Sequence, residues 1–234
     1  MRIDSDYLST KTIQCAVLTL FAAFAAALLQ AQDAPREATA IQSDPAAIPN
    51  TRPWANQGRW NFGAQLGYAI EYGLARHEIS HIELLLAQPQ LGLILRDSQS
   101  PHFPVQRVEL LTEGVLGGAI HPGAYMAGVT LLFRFDGKNH GRWVPFLDGG
   151  AGVQRTSLSQ HVPELNGTTE FSPQGGFGLQ YFFRPQRALV FEFRTMHMSN
   201  ANITPPNMGF NSGMISIGFR WLRRPVRSGD SIIR

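Results

Sequence analysis

The stretch Tyr125-Met-Ala-Gly-Val-Thr-Leu-Leu-Phe-Arg-Phe-Asp136 decides the fold, because large apolar side chains alternate in it with small or polar ones. Its odd-numbered positions carry tyrosine, alanine, valine, leucine and two phenylalanines, whereas its even-numbered positions include Gly128, Thr130, Arg134 and Asp136. Alternation with a period of two places the two sets on opposite faces of a β-strand. The stretch therefore predicts a strand with one apolar face and one largely polar face.

Similar alternation recurs along the chain, with aromatic residues on one face and Gly, Ser, Gln or charged residues on the other. Eight runs are predicted as strands, at residues 59–73, 77–95, 106–121, 124–136, 142–158, 170–185, 187–200 and 212–223. Turn residues such as His121-Pro-Gly and Asn166-Gly separate them. The runs exceed the length of about 9–11 residues with which a tilted strand crosses a bilayer. The second run is the least regular, and we expect a bulge in it.

A barrel built from these strands has two alternative orientations of its apolar face. A soluble, lipocalin-like carrier would place this face inside, whereas an outer-membrane barrel turns it towards lipid. Eight strands enclose an interior with room only for side chains. The polar face carries acids and bases suited to an interior ion-pair network, namely Glu71, Glu109, Glu113, Arg134, Glu192, Arg194 and Arg220. We therefore predict an all-β fold, an eight-stranded antiparallel up-and-down transmembrane β-barrel.

Three further segments are predicted outside the barrel, which we assign to residues 59–223. Residues 1–31 contain an apolar run, Cys15–Leu29, whose length is typical of a signal peptide; an uncleaved anchor helix is the alternative. Residues 32–58, rich in Ala, Pro and Asp, are predicted to be a flexible linker, and residues 224–234 a basic tail. An exported barrel is expected in the outer membrane of a Gram-negative-type envelope.

The charge balance limits the partners and cofactors that we expect. The 234 residues have a formal net charge of +3 and only 16% charged residues, and no basic patch is interleaved with aromatic residues, so nucleic acid is not a predicted partner. No metal site is predicted either, because the five histidines that could suggest one fall on turns or irregular strands without a ligand cluster. These histidines are His77, His81, His121, His140 and His161.

Two polar side chains interrupt an apolar face near the end of the seventh run. In Phe191-Glu-Phe-Arg-Thr-Met-His-Met-Ser-Asn-Ala201, His197 and Ser199 have the same parity as Phe191 and Phe193. Residues two apart on a strand point to the same face. An imidazole beside a hydroxyl is the arrangement of a base-activated serine nucleophile. On an apolar face, this pair predicts an apolar substrate.

The stretch that starts at this pair, His197-Met-Ser-Asn-Ala-Asn-Ile-Thr-Pro-Pro-Asn-Met-Gly209, resembles the signature of the lipid A 3-O-deacylases, the PagL-type outer-membrane esterases. Residues 143–152 and 171–178 are also similar to that family, and the resemblance covers most of residues 60–222. It implies an eight-stranded barrel with its active site on the lipid-facing wall. The implied reaction, which needs no cofactor, hydrolyses the ester between a 3-hydroxyacyl chain and position 3 of lipid A.

The resemblance also implies partners and the roles of individual residues. The implied partners are lipid A or lipopolysaccharide and outer-membrane lipid, and a homodimer is left open. Ser199 would be the nucleophile and His197 the general base, with Asn207 and Asn200 as candidate donors to the oxyanion. The family's third catalytic residue is a glutamate 12 positions after the serine, where this chain has Asn211.

The asparagine leaves three alternatives open. In the first, Asn211 orients the imidazole. In the second, an acid from another strand orients it. In the third, the site is degenerate and the barrel has lost its activity. We predict a carboxylic ester hydrolase. The competing functions are a non-catalytic structural or binding barrel and a lipid A acyltransferase, which would use a surface serine and histidine with a bound acyl donor.

Overall fold

The computed structural model of the chain describes residues 59–73, 80–98 and 103–222, which form a closed barrel. The strands are β1 (Trp60–Tyr72), β2 (Glu83–Asp97), β3 (Arg107–His121), β4 (Ala124–Asp136), β5 (Trp143–Thr156), β6 (Thr169–Arg184), β7 (Arg187–Met198) and β8 (Phe210–Leu222). Each strand pairs antiparallel with the next, and β8 pairs with β1. Closure removes every open sheet edge, which lipid could not hydrogen-bond. The predicted fold class is confirmed.

The strand bounds lie within two residues of the predicted runs, except in the second strand. That run was expected from residue 77, but β2 begins at Glu83. His81 has a φ of 53°, a backbone conformation that an extended strand does not adopt. Register shifts at Glu83/Leu84 and Ile94/Arg96 confirm the expected irregularity. Residues 74–79, with His77, and the predicted signal peptide, linker and tail lie outside the described residues.

The apolar face of the sheet points outward. Leu131, Phe133 and Ile217 are 54%, 47% and 53% exposed, whereas their polar strand neighbours are buried. The lipocalin-like alternative is therefore wrong, because it requires the opposite orientation. Within the described ranges, no helix has the length and hydropathy needed to span a membrane.

The polar face fills the middle of the barrel with buried ion pairs. Arg194 binds Glu113 at 2.7 Å, and it also contacts Glu192. Arg134 bridges Asp148 at 2.8 Å and Glu192 at 3.0 Å. All of these groups are buried and pair with opposite charges, as charges removed from water must. The interior network predicted for Glu113, Arg134, Glu192 and Arg194 is confirmed, and Asp148 joins it. Arg220 pairs with Glu109 in the same interior, whereas Glu71 accepts the backbone N–H of Ile82 at 3.0 Å.

One end of the barrel, which we call the site end, lies opposite residues 59 and 222. It carries the loops 157–168 and 199–209 and the described residues 80–82 before β2. Bacterial outer-membrane barrels have longer loops on the extracellular side, and the two longest fully described loops lie at this end. Apolar residues of the loop 157–168 fold into the barrel mouth and pack in one cluster with inward-facing side chains of β7 and β8. The cluster includes Leu158, Val162, Leu165, Met196, Met198, Phe210 and Met214. It forms a packed support on the inner side of the C-terminal end of β7.

Candidate active site on the outer wall

His197 and Ser199 are brought together on the outer face at the site end. His197 Nε2 lies 3.1 Å from Ser199 Oγ, and His197 Nδ1 lies 2.9 Å from Asn211 Oδ1. Both members of the pair are half-buried, and they share their face with Phe191 and Phe193. The three side chains thus form a continuous hydrogen-bonded chain from hydroxyl to imidazole to amide.

Backbone pairing across three strands fixes these three positions. His197 on β7 and Asn211 on β8 are directly opposed partners, so their side chains lie side by side on one face. Ser199 lies beyond the end of β7 but remains paired with Phe171 of β6, with N···O distances of 2.7 and 3.0 Å. Because these two backbone hydrogen bonds anchor Ser199 to β6, its Oγ stays within reach of the imidazole.

The partner of His197 Nδ1 determines what the imidazole can do. With the amide Oδ1 of Asn211 facing the ring, Nδ1 must carry the proton, and Nε2 then has a free lone pair for the Ser199 hydroxyl. In the described part of the chain, no carboxylate hydrogen-bonds to His197. The geometry therefore agrees with the first of the three alternatives, in which Asn211 orients the ring. An amide supplies no negative charge to an imidazolium.

The two candidate oxyanion donors lie in the loop that follows β7. Asn207 Oδ1 accepts the backbone N–H of Asn200 at 3.2 Å, and Asn207 Nδ2 lies 3.3 Å from Glu170 Oε2 and 3.5 Å from Asn166 O. The Asn200 side chain is buried, and it donates to the carbonyls of Asn166 and Thr204. Both amides thus brace the loop. The contacts of Asn207 Nδ2 are long and weak, so Asn207 is the more easily released donor.

The loop 157–168 holds the loop 199–209 in place through one backbone carbonyl. Glu164 O accepts both the Met208 and the Gly209 N–H groups at 2.9 Å. The carboxylate of the same residue is buried and accepts the hydroxyl of Ser80. Three loops of the site end therefore meet at Glu164, which the sequence did not indicate because the contacts join segments that are distant in sequence.

Gly209 permits the close approach of this loop to His197 and Ser199. Its φ is +63°, and a Cβ at this position would lie 2.7 Å from Ser199 Cβ and 3.0 Å from His197 Cε1, besides colliding with Met198 O. Only glycine accommodates both the left-handed backbone and the contact. Gly209 is the last residue of the stretch that carries the family resemblance, but its role depends on this proximity.

Aromatic rings cover the outer wall on the row below the His–Ser pair. Thr195 is flanked there by Gly213 on β8 and Gly175 on β6. Phe193 and Tyr72 border Gly213, with ring atoms 3.4 and 3.8 Å from where its Cβ would be, and the Tyr72 hydroxyl hydrogen-bonds to the Thr195 hydroxyl. The rings give this part of the wall an apolar surface against which an acyl chain can lie.

Comparison with known proteins gives one family and a set of similar barrels. The family model described as "Lipid A 3-O-deacylase (PagL)" matches residues 91–220, which include β3 to β7, His197 and Ser199. The crystal structure of the outer membrane enzyme PagL has 17% identity and a TM-score of 0.46, covering 71% of this chain and 99% of that chain. Neisserial surface protein A has 14% identity and a TM-score of 0.49, with 69% and 96% covered. The N-terminal barrel domain of Pseudomonas aeruginosa OprF has 12% identity and a TM-score of 0.42, with 70% and 98% covered. No curated protein sequence matches the chain.

Proposed function

Because this chain belongs to the lipid A 3-O-deacylase family, we propose that it is a serine esterase that removes the 3-O-linked 3-hydroxyacyl chain from lipid A. The barrel is an outer-membrane protein, and lipid A is the substrate of its family. The main support for the esterase mechanism is the hydrogen-bonded chain of Ser199, His197 and Asn211 on the lipid-facing wall. An acyl ester buried in the leaflet can reach a nucleophile only on this face.

The first half of the reaction transfers the acyl chain to the enzyme. His197 Nε2 takes the proton of Ser199 Oγ as this oxygen attacks the ester carbonyl carbon, which forms a tetrahedral oxyanion. When the intermediate collapses, the bond to the sugar oxygen breaks, and this oxygen receives the proton from His197. The 3-hydroxyacyl chain is then esterified to Ser199 while its tail lies against the apolar outer wall.

The second half releases the fatty acid. Water attacks the acyl-serine carbonyl, and His197 takes its proton. Collapse returns that proton to Ser199 Oγ and frees the 3-hydroxy fatty acid. Before each proton transfer to His197, Asn211 holds the imidazole in the tautomer that presents a lone pair at Nε2.

Asn207 is the better of the two candidate donors to the oxyanion. Its Nδ2 is held only by contacts of 3.3–3.5 Å, so substrate entry can turn this group towards the carbonyl. Asn200 is better suited to contribute its backbone N–H, which is released when Asn207 Oδ1 moves away. Donors aimed at a developing oxyanion are worth about 3–4 kcal/mol each in serine hydrolases.

The decisive experiment is mass spectrometry of lipid A after incubation with the purified, detergent-solubilised protein. We expect the loss of one 3-hydroxyacyl chain with the parent protein and no loss with Ser199→Ala. Ser159→Ala is a matched control, since this serine lies at the same end of the barrel without a role in the site. A heavier lipid A, formed when phospholipid is added, would instead indicate an acyltransferase. Deacylation that persists in Ser199→Ala would refute the proposed nucleophile.

One observation favours a second candidate, a barrel with a degenerate site. Asn211 leaves the imidazolium without a compensating charge, and this can reduce turnover below detection. The parent protein would then leave lipid A unchanged, whereas Asn211→Glu would restore deacylation. If both proteins were inactive although folded, a structural or binding role would be the better explanation. The homodimer stays a prediction of the sequence.

A further inference from the structure

One cation stands apart from the interior network. Arg155 lies near the end of β5, on the outward-facing side of the sheet, and its side chain is exposed. In the described ranges it is the one lysine or arginine at the site end, since the others lie in the barrel interior or towards the end that carries residues 59 and 222. No described carboxylate pairs with it. Its charge is therefore available to an external anion.

Pairing across the sheet places Arg155 beside the catalytic pair. Its directly opposed partner is Thr169 on β6, and two residues further along β6 Phe171 pairs with Ser199. Two strand spacings amount to about 10 Å, and two residues along a strand to about 7 Å, so the backbones of Arg155 and Ser199 are roughly 12 Å apart. The long arginine side chain covers part of this distance, and the remaining gap is about the width of a sugar ring.

The chemistry of the paired side chains fits a phosphate. A guanidinium binds phosphate oxygens with two parallel N–H donors, and the exposed hydroxyl of Thr169 adds a third donor next to it. The nearby acids do not compete for the cation, because Glu170 and Glu164 are buried and hydrogen-bonded within the loops. At the level of the headgroups, Arg155 and Thr169 therefore present N–H and O–H donors without a carboxylate that competes for them.

We propose that Arg155 and Thr169 form a subsite for a phosphate group on the sugar headgroup of the substrate. This inference rests on the proposed function, and it makes the phosphorylated glycolipid the preferred substrate. An acyl ester at Ser199 and a phosphate at Arg155 would fix the sugar at two points, so that one ester among several is presented to the nucleophile. A phosphate of a neighbouring lipid shares the same chemistry and must be distinguished by experiment.

The test measures binding in the Ser199→Ala background, where hydrolysis does not interfere. Lipid A with its phosphates and lipid A treated with a phosphatase are titrated into protein held in uncharged detergent micelles. We expect Arg155→Gln to weaken binding of the phosphorylated lipid about tenfold and to leave binding of the dephosphorylated lipid unchanged. Thr169→Val should weaken the former about threefold, and Arg155→Lys should lose less than Arg155→Gln because a single charge remains.

Arg187→Gln is the matched control, since Arg187 is equally exposed but lies at the other end of the barrel on the strand that carries His197. Equal losses for both lipids, or no loss for either, would overturn the subsite. If Arg155→Gln weakens binding of dephosphorylated lipid A only after phosphatidic acid is added to the micelles, the anion is a neighbouring headgroup, and the assignment to the substrate is wrong.

The binding result and the esterase result are independent. Arg155-dependent binding without deacylation by the parent protein would retain the subsite and reject the esterase. Deacylation that is equally fast in Arg155→Gln, together with unchanged binding, would reject the subsite alone.

Discussion

Replacing Asn211 by aspartate adds one negative charge to the site with little change of shape. Asn211 Oδ1 lies 2.9 Å from His197 Nδ1, and aspartate keeps an oxygen at that position. At this separation, the attraction between a carboxylate and an imidazolium is about 1.4 kcal/mol at the dielectric constant of water and about 6 kcal/mol at an effective value of 20. The residue is half-buried, and the amide dipole already supplies part of this energy.

We therefore expect Asn211→Asp to stabilise the transition state by about 1.5–4 kcal/mol relative to the parent protein. This corresponds to an increase in kcat of about 10- to 1,000-fold, since each 1.36 kcal/mol changes the rate about tenfold. The charge acts on an imidazolium that exists only during proton transfer, so KM should change little. Asn211→Ala removes the acceptor and should lower kcat below that of the parent.

The assay follows released 3-hydroxy fatty acid over time with lipid A in mixed micelles, at a pH where the new carboxyl group is ionised. Ser199→Ala combined with Asn211→Asp is the control, and it should be inactive. An unchanged or lower kcat in a correctly folded Asn211→Asp protein would refute the reasoning, because it would mean that Asn211 does not face a charge that develops on His197. A gain that persists without Ser199 would show that the reaction takes another route.

Three further changes test the supports of the site and the interior. Gly209→Ala should lower kcat at least about tenfold, because its Cβ would lie 3.0 Å from His197 Cε1 in a left-handed conformation; activity equal to the parent's would contradict this close contact. Glu170→Gln should raise kcat about threefold with an unchanged KM in steady-state assays, since a neutral amide holds Asn207 Nδ2 less firmly and leaves it freer to turn to the oxyanion; a lower kcat would contradict the role of a released Asn207. Arg194→Ala should destabilise the barrel by about 3–5 kcal/mol, because it leaves buried carboxylates unpaired. The measurement is thermal unfolding in detergent, and an unchanged Tm would show that the network is dispensable.

The eight strands were predictable from the sequence because alternation is a local property. The alternation within each run shows which residues share a face. Seven of the eight predicted runs agree with the strands within two residues. The start of β2 was missed because the left-handed backbone at His81 leaves no trace in the pattern of apolar residues. The alternation also placed His197 and Ser199 on one face, as the structure confirms.

The partners of that pair could be inferred only in part. The resemblance pointed to position 211, but whether an asparagine there would reach the imidazole depends on the register between β7 and β8. The sequence likewise suggested Asn207 and Asn200 as donors, without showing that both brace the loop in the folded barrel. One of these contacts, between Asn166 and Asn200, joins positions 34 residues apart.

The sequence by itself therefore determined the strands, their two unlike faces and the serine–histidine pair, because these follow from the period of two and from residue type. The sequence also predicted which face turns inward, and the tertiary structure alone decided which partner each side chain meets. Closure of β1 on β8 sealed the charged face inside, where Arg134 and Arg194 find their carboxylates, and left the apolar face to lipid. The pairing of β6 with β5 and with Ser199 also brings Arg155, which is 44 positions from Ser199 in sequence, to within two strands of it. The physical reason is that strand pattern depends on neighbours along the chain, whereas a site depends on neighbours across the sheet.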